Sequence, residues 1–439
     1  MVTGSPSPHP DSSRTLEVFN LENVTSVAGA NLLVDFMRDH MQIQKHLSAF
    51  PFDKAPWSTY TLSDEIEALL CAYTLGYERI SHIKELEADP LLCWKLGIPK
   101  LPDTTTLYRN LERFNSEDRV NALGRLNRYP LEYILRNQKI AILDIDTTVE
   151  TVFGQQEGSC IGYNPRYHGR SSYQPFLAFE GLSRAAVHAR LRSGTTPSAE
   201  EIVSFIKESI SNLPPGVKVE YVRGDRGMTS ESVCAYLESK DISYTLKMKM
   251  PSTLYSRISR GVLWRRLFNE DDNIVIEAGS IMYQATSWIK RRRIILVRWR
   301  PAFEQQQRLF EEYSWHYEAI ITNLDWDAED IWHFYNTRCA CENCIKELKY
   351  GVNMDMISKA RFWPNAADLW LKVIAYNILL ALRSVSPSPY KSFSIKRFRR
   401  AFLRVPGLLV HHARKWILRL PAYWPHAPAW REIRLAICI

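Results

Sequence analysis

The spacing of apolar residues changes period along the chain, and the changes mark out its parts. From Asn23 to about Arg119 the spacing is helical. Ala30, Leu33, Val34 and Met37 form one apolar stripe, and Ile66, Leu69, Leu70 and Tyr73 form another after an N-cap at Ser63. Pro102 to Phe114 reads as a short helix with Leu107, Leu111 and Phe114 inward and Thr105, Tyr108, Arg109 and Arg113 outward. A plain helical bundle is favoured here over a helix-turn-helix that reads DNA.

At residue 139 the period becomes two. KIAILDIDTT (139–148) is a strand on which Asp144 and Asp146 share a face, because side chains alternate along a strand. Tyr173–Phe179 and Ala186–Leu191 read as two more strands. Ser198 and Glu201 form a capping box that opens a helix with Ile202, Phe205, Ile206 and Ile210 inward. Val217–Val222 is a fourth strand, with Asp225 just past its end in VRGDRG. A short helix (Ser230–Leu237) and a strand (Ile242–Met248) follow. An α/β unit with strand one beside strand four would hold Asp146 and Asp225 side by side, the arrangement of an RNase H-like fold. Residues 249–322 break this rhythm, and Asn273–Ser287, Arg293–Trp299 and Tyr317–Thr322 read as antiparallel strands, a β-rich insertion.

Helical spacing returns at Asp327. YNTRCACENCIKELK (335–349) has no Pro or Gly and reads as one helix. Tyr335, Arg338, Glu342 and Lys349 then fall within an arc of roughly 60°. Taken alone, a carboxylate between two cations is a surface ion pair. The expected organisation is a disordered tail (1–20), a helical N-terminal DNA-binding region (21–135), an RNase H-like domain in two parts (136–248 and 323–385) around the insertion (249–322), and a basic helical C-terminal tail (386–439).

Composition adds limits. The net charge is +8, from 56 Lys+Arg against 48 Asp+Glu, and the excess is concentrated after Tyr390, where Glu432 is the single acid. A basic, aromatic tail suits packing combined with phosphate contact. The eight Cys form no disulfide framework, MVTGSPSPHPDSS is not a signal peptide, and Leu369–Leu382 reads as a buried helix too short for a bilayer, which together indicate a cytoplasmic protein. Cys339, Cys341 and Cys344 lack a nearby fourth ligand and do not read as a zinc site. Three carboxylates without Cys or His ligands favour Mg²⁺, with Mn²⁺ able to substitute. Two such ions can activate a water or 3′-hydroxyl and stabilise the leaving oxygen of a phosphodiester.

YNTRCACENCIKELK matches Y-x2-R-x3-E-x6-K at every fixed position. DIDTT and VRGDRG are similar to the two Asp motifs of the same group, the insertion-sequence DDE transposases of bacteria. IGYNPRYHGRSSYQPFLAF, LRSG, EAIITNL and LKVIAYNILLALRS bring the chain nearest to the insertion-sequence 1380 family over about residues 20–385. The resemblance implies an RNase H-like catalytic domain with a β-rich insertion, and two Mg²⁺ ions held by Asp146, Asp225 and Glu342. It implies cleavage of double-stranded DNA at terminal inverted repeats, then strand transfer by a homodimer. Asp144 shares the strand face, and Asp146, which precedes Thr-Thr as in related motifs, is favoured as first acid. Tyr335, Arg338 and Lys349 become DNA contacts, joined by Lys346 and by Arg166 and Arg170 of the loop at 163–170. Relatives with such an insertion use a Trp to hold a flipped base. Trp288 and Trp299 are candidates, with packing the favoured role. An immobile nuclease and a non-catalytic, transposase-derived repressor are the alternatives.

Overall fold

The structure is a computed structural model, and it describes residues 17–50, 52–258, 261–267, 273–302, 315–357 and 359–438. Most of the segment expected to be disordered, residues 1–16, lies outside the described residues.

One mixed sheet of nine strands organises the chain. In chain order its strands are Ile140–Thr147 (β1), Phe176–Glu180 (β2), Ala186–Arg190 (β3), Lys218–Gly224 (β4), Ser243–Met248 (β5), Arg265–Arg266 (β6), Ile274–Tyr283 (β7), Arg292–Pro301 (β8) and His316–Thr322 (β9). Across the sheet they run β6-β7-β8-β9-β5-β4-β1-β2-β3. β1 is parallel to β4, and β4 to β5, while β2 and β3 are antiparallel. Strand one therefore lies beside strand four, as the order of elements predicts. The β1–β4 register sets Asp144 opposite Arg223 and Ile145 opposite Gly224. Asp146 and Asp225 are the next residues along, at the carboxyl ends of adjacent parallel strands. β7, β8 and β9 form no separate layer; β9 pairs with β5 and carries the same sheet onward.

Helices cover both faces. Leu177, Phe179, Ala186 and Ala189 belong to a large core with the helical N-terminal region, while Phe176, Ala178 and Val187 belong to a core on the opposite face. β2 and β3 are thus buried on both sides, which makes FLAFE continuously apolar up to its glutamate. Leu62–Leu75 (α1) lies in the first core, and Ala199–Asn212 (α2) and Glu231–Ser239 (α3) lie on the other face. The Ser198–Glu201 capping box forms as expected. Past the sheet come Ala328–Asn336 (α4), Cys339–Val352 (α5), Phe362–Ser384 (α6) and Ile395–Phe402 (α7). α6 has 23 residues and is apolar enough to cross a membrane, but its most apolar window is wholly buried inside the protein. Asn377 pins it to β3 by accepting from Ala186 N at 2.9 Å and donating to Ala186 O at 2.8 Å.

Four local expectations are corrected. The strand expected over 173–179 is two strands, Ser171–Tyr173 in a small separate sheet and β2, because Pro175 has no N–H for the ladder. α1 starts before Ser63, with Thr61 and Asp64 forming its capping box. The tail is not purely helical: Gly407–His412 and Lys415–Arg419 form a hairpin, closed by Ala413 and Arg414 at positive φ, which pairs with Val24–Thr25. Finally, 335–349 is not one helix. α4 ends at Asn336 and α5 begins at Cys339, and between them the hydrogen bonds tighten to three-residue spacing (Arg338 N to Tyr335 O, 2.9 Å; Cys341 N to Arg338 O, 2.7 Å).

Candidate active site

Asp146 is the penultimate residue of β1, with its side chain 15% exposed. Arg338 Nη2 stands 2.8 Å from Oδ2, and the Thr147 N–H donates to Oδ1 at 2.8 Å. Burial pushes the Asp146 carboxyl above the usual range; Arg338 and the Thr147 amide oppose this, and the charges of Asp225 and Glu342 add to it. Asp146, Asp225 and Glu342 thus share one electrostatic neighbourhood. Half-buried Asp225 follows β4 directly. Glu342 is exposed in the first turn of α5, where the helix dipole favours an anion, and α5 packs on β1.

Asp144 shares the strand face but lies in a different environment. It is 1% exposed and receives Arg223 Nε and Nη2 on its two oxygens, at 2.5 and 2.7 Å. Both oxygens are occupied by an internal cation, so Asp144 is committed to a buried ion pair.

A cleft of about 840 Å³ opens at the ends of β1 and β4. Asp146, Asp225, Lys349, Tyr350, Arg79 and Arg166 are among the residues that line it. Lys349 Nζ donates to Val149 O at 3.1 Å, which places an ammonium beside the loop leaving β1. Arg79, Tyr350 and Asp355 were not singled out from sequence. Arg79 and Asp355 come from segments without motif character, and only Tyr350, next to Lys349, could have been reached by extending the helix.

The other expected DNA contacts are spread more widely. Tyr335 belongs to α4 and is buried in a small core with Ile331 and Ile320, its ring 5.8 Å from Lys247 Nζ. It therefore does not share an exposed helical face with Glu342, because the turn at 337–338 breaks the wheel. Lys346 lies beside Arg184 and Ser394 in a neighbouring groove. Exposed Arg170 stacks over Phe153, 5.5 Å from the ring centroid. Tyr108, expected outward, is half-buried with Lys359 Nζ 3.5 Å from its ring centroid. Trp288 is buried edge-on against Tyr283, and Trp299 stacks on His316, its cross-strand partner, at 4.2 Å. All eight cysteines are unpaired.

Comparison with known families gives a match over residues 9–437 to the family described as transposase DDE domain group 1. The chain belongs to this family. It is a DDE transposase chain, a protein of DNA transposition and mobile elements. Among solved structures, the piggyBac transposase synaptic complex with hairpin DNA is 13% identical, with 84% of this chain and 79% of that chain covered and a TM-score of 0.47. The Drosophila P element transposase strand transfer complex is 15% identical (49% and 43% covered, TM-score 0.23), and the Mos1 strand transfer complex 12% identical (47% and 66%, TM-score 0.17). No curated protein matches the chain.

DDE transposases generally use divalent metals. The proposed donors are carboxylate oxygens, the type such an ion takes, and the charges of Asp225 and Glu342 act on Asp146. Among the described residues, no three His, Cys, Asp or Glu side chains stand close enough together to hold one ion. Arg338 is the cation that contacts Asp146.

Proposed function

We propose that this chain is the transposase of a bacterial insertion sequence nearest the 1380 family, with an RNase H-like catalytic domain. In this reading it cuts double-stranded DNA at the element's terminal inverted repeats and joins the freed ends to target DNA. The observation that carries it is the meeting of Asp146 and Asp225 at the carboxyl ends of adjacent parallel strands in one cleft, with Glu342's charge felt at Asp146. Asp146, Asp225 and Glu342 would hold Mg²⁺ or Mn²⁺, which would supply activation of the attacking oxygen and stabilisation of the leaving one. In the first step a water oxygen bonds to phosphorus and the P–O3′ bond breaks, leaving a 3′-hydroxyl. In the second, that hydroxyl attacks a target phosphodiester, forming one P–O bond and breaking another. Lys349, Arg166 and Arg79 line the cleft as cations for the DNA backbone, and Arg338 pairs with Asp146 and favours its charged form. The acting species is a homodimer on DNA in the bacterial cytoplasm.

The test uses purified protein, DNA carrying the sequences that flank the reading frame, and Mg²⁺ or Mn²⁺. Cleavage at paired inverted repeats is expected, together with its loss in Asp225→Asn and Glu342→Gln while DNA binding persists. Calorimetric titration with Mn²⁺ should show binding to wild type and weakened binding to Asp225→Asn. Wild-type cleavage by either variant rejects the assignment. Binding without cleavage under both metals favours the repressor reading.

A further inference from the structure

The first helix of the tail, α7, has two different faces. Ile395, Phe398, Ala401 and Phe402 are buried against the helical core, while Lys396, Arg397 and Arg400 face solvent. At spacings of three and four residues these cations stand on one side of the helix. Among the described residues none of the three is in an ion pair with a carboxylate. Arg397 stacks on Phe393, 3.8 Å from the ring centroid, which orders its guanidinium without neutralising it.

A buried cation lies beneath them. Arg399 is 6% exposed and, among the described residues, makes no ion pair with an acid but donates to carbonyls: Nε to Thr74 O at 2.8 Å, Nη1 to Gly351 O at 2.7 Å and Nη2 to Tyr73 O at 3.3 Å. Arg404 donates to Leu75 O at 3.0 Å and Gly76 O at 2.9 Å. Two guanidinium groups thus cap the C-terminal end of α1, where carbonyls lack helical partners, and Arg399 also reaches the end of α5. Helix-end partial charges hold Arg399 and Arg404 in place but do not cancel two full charges.

These cations, with Gly76, Glu78, Tyr350 and Ser394, line a groove of about 460 Å³. Tyr350 lines the catalytic cleft as well, and Arg79 of that cleft directly follows Glu78. The groove and the cleft are therefore neighbours, with Tyr350 lining both. Lys346 and Lys396 line a further groove that also includes Tyr350 and Ser394.

We infer that the α7 groove is a binding site for the phosphate backbone of duplex DNA, taking up the part of the duplex that leaves the catalytic cleft past Tyr350. The inference rests on the transposase reading and adds a second anchoring site on the same DNA. Charge complementarity and the nearness of the cleft select this occupant: Glu78 is the single acid among the residues that line the groove. The groove fixes where the duplex runs without reading its sequence.

Binding of a fluorescein-labelled duplex of about 30 bp and arbitrary sequence tests this, in the Asp225→Asn background without divalent metal, across a salt series. Each lost phosphate contact lowers the slope of log K against log salt by about 0.9. The triple variant Lys396→Gln/Arg397→Gln/Arg400→Gln should lower the slope by about 2–3. A charge-matched control, Arg414→Gln/Lys415→Gln/Arg419→Gln on the exposed tail hairpin, should leave it unchanged. Thermal melting of both triples should match the parent, because all six side chains are exposed. An unchanged slope for the α7 triple, or equal loss in both triples, overturns the inference while leaving the transposase reading standing. Absence of DNA binding by the parent protein overturns both.

Discussion

Arg223 and Asp144 form a two-pronged ion pair sealed inside the protein, with side chains 2% and 1% exposed. The remaining nitrogen of Arg223, Nη1, donates to Phe334 O at 2.7 Å and to Thr337 Oγ1. One guanidinium therefore ties together three places: β1 two residues before Asp146, β4 two residues before Asp225, and the turn that leads into Arg338 and Glu342. Arg223→Met should destabilise the fold by about 3–5 kcal/mol, because it leaves Asp144 buried and uncompensated. Chemical denaturation measures this. The double variant Asp144→Leu/Arg223→Met should recover most of the stability without recovering cleavage, since the tie to Thr337 stays broken. Recovery of both would reduce the pair to a purely structural role.

Gly181 covers this ion pair. A Cβ on Gly181 would stand 2.8 Å from Arg223 Nη2 and 3.2 Å from Asp144 Oδ2. Gly181→Ala should therefore displace the guanidinium and cost about 1–3 kcal/mol as an overpacking change. Its cleavage rate should fall along with that of Arg223→Met. A melting temperature and rate equal to wild type would show that the pair can shift freely.

Arg338 opposes the upward push that burial, Asp225 and Glu342 exert on the Asp146 carboxyl. Removing its charge in Arg338→Gln raises that pKa further, so the carboxylate forms only at higher pH. The acid limb of the cleavage-rate profile should move to higher pH in Arg338→Gln and less so in Arg338→Lys. An acid limb that stays in place would mean that Asp146 does not govern it.

Glu150 lies fully buried behind the cleft, and among the described residues neither of its carboxylate oxygens has a hydrogen-bond partner. Burial pushes its pKa up to about 8; Lys349 and Lys372 pull it down, and Asp355 and Asp368 push it further up. Between the unfolded value near 4.5 and about 8, the folded protein holds a proton that the unfolded chain has released. Stability therefore falls as pH rises through that window. Glu150→Gln should have little effect on the melting temperature at pH about 4 and raise it increasingly towards pH about 8, above which the difference levels off. A constant difference across the range would show that Glu150 does not titrate there.

Much of this was legible from local pattern. The succession of strands and helices over 217–248, the Ser198 capping box and the inward stripe of Leu107, Leu111 and Phe114 follow from periodicity and capping chemistry, which act over a few residues. The approach of Asp146 to Asp225 followed from topology. Other features depend on contacts that spacing does not encode. The break at Thr337 sits where Arg223 and Phe334 O claim the threonine hydroxyl, a tertiary effect that no helical wheel contains. The buried pair itself left a trace: Asp144 and Arg223 each precede a candidate acid by two residues, on the same strand face. Read together, those offsets separate Asp144 from Asp146. Arg79 left no comparable trace, because only the packing of the helical region brings it to the cleft.

The sheet also sets a timetable. β1 and β4, with their acids, lie early in the chain, whereas Glu342 follows only after β7, β8 and β9 have been made and β9 has joined β5. Its helix is then backed by α6, whose Asn377 reaches back to Ala186 in β3. Hairpins such as β7–β8 close quickly because their contacts are local, while the α6–β3 contact has to wait for distant parts of the chain. During synthesis Glu342 is therefore the last of the three proposed metal ligands to arrive, and the proposed site is completed only late in folding.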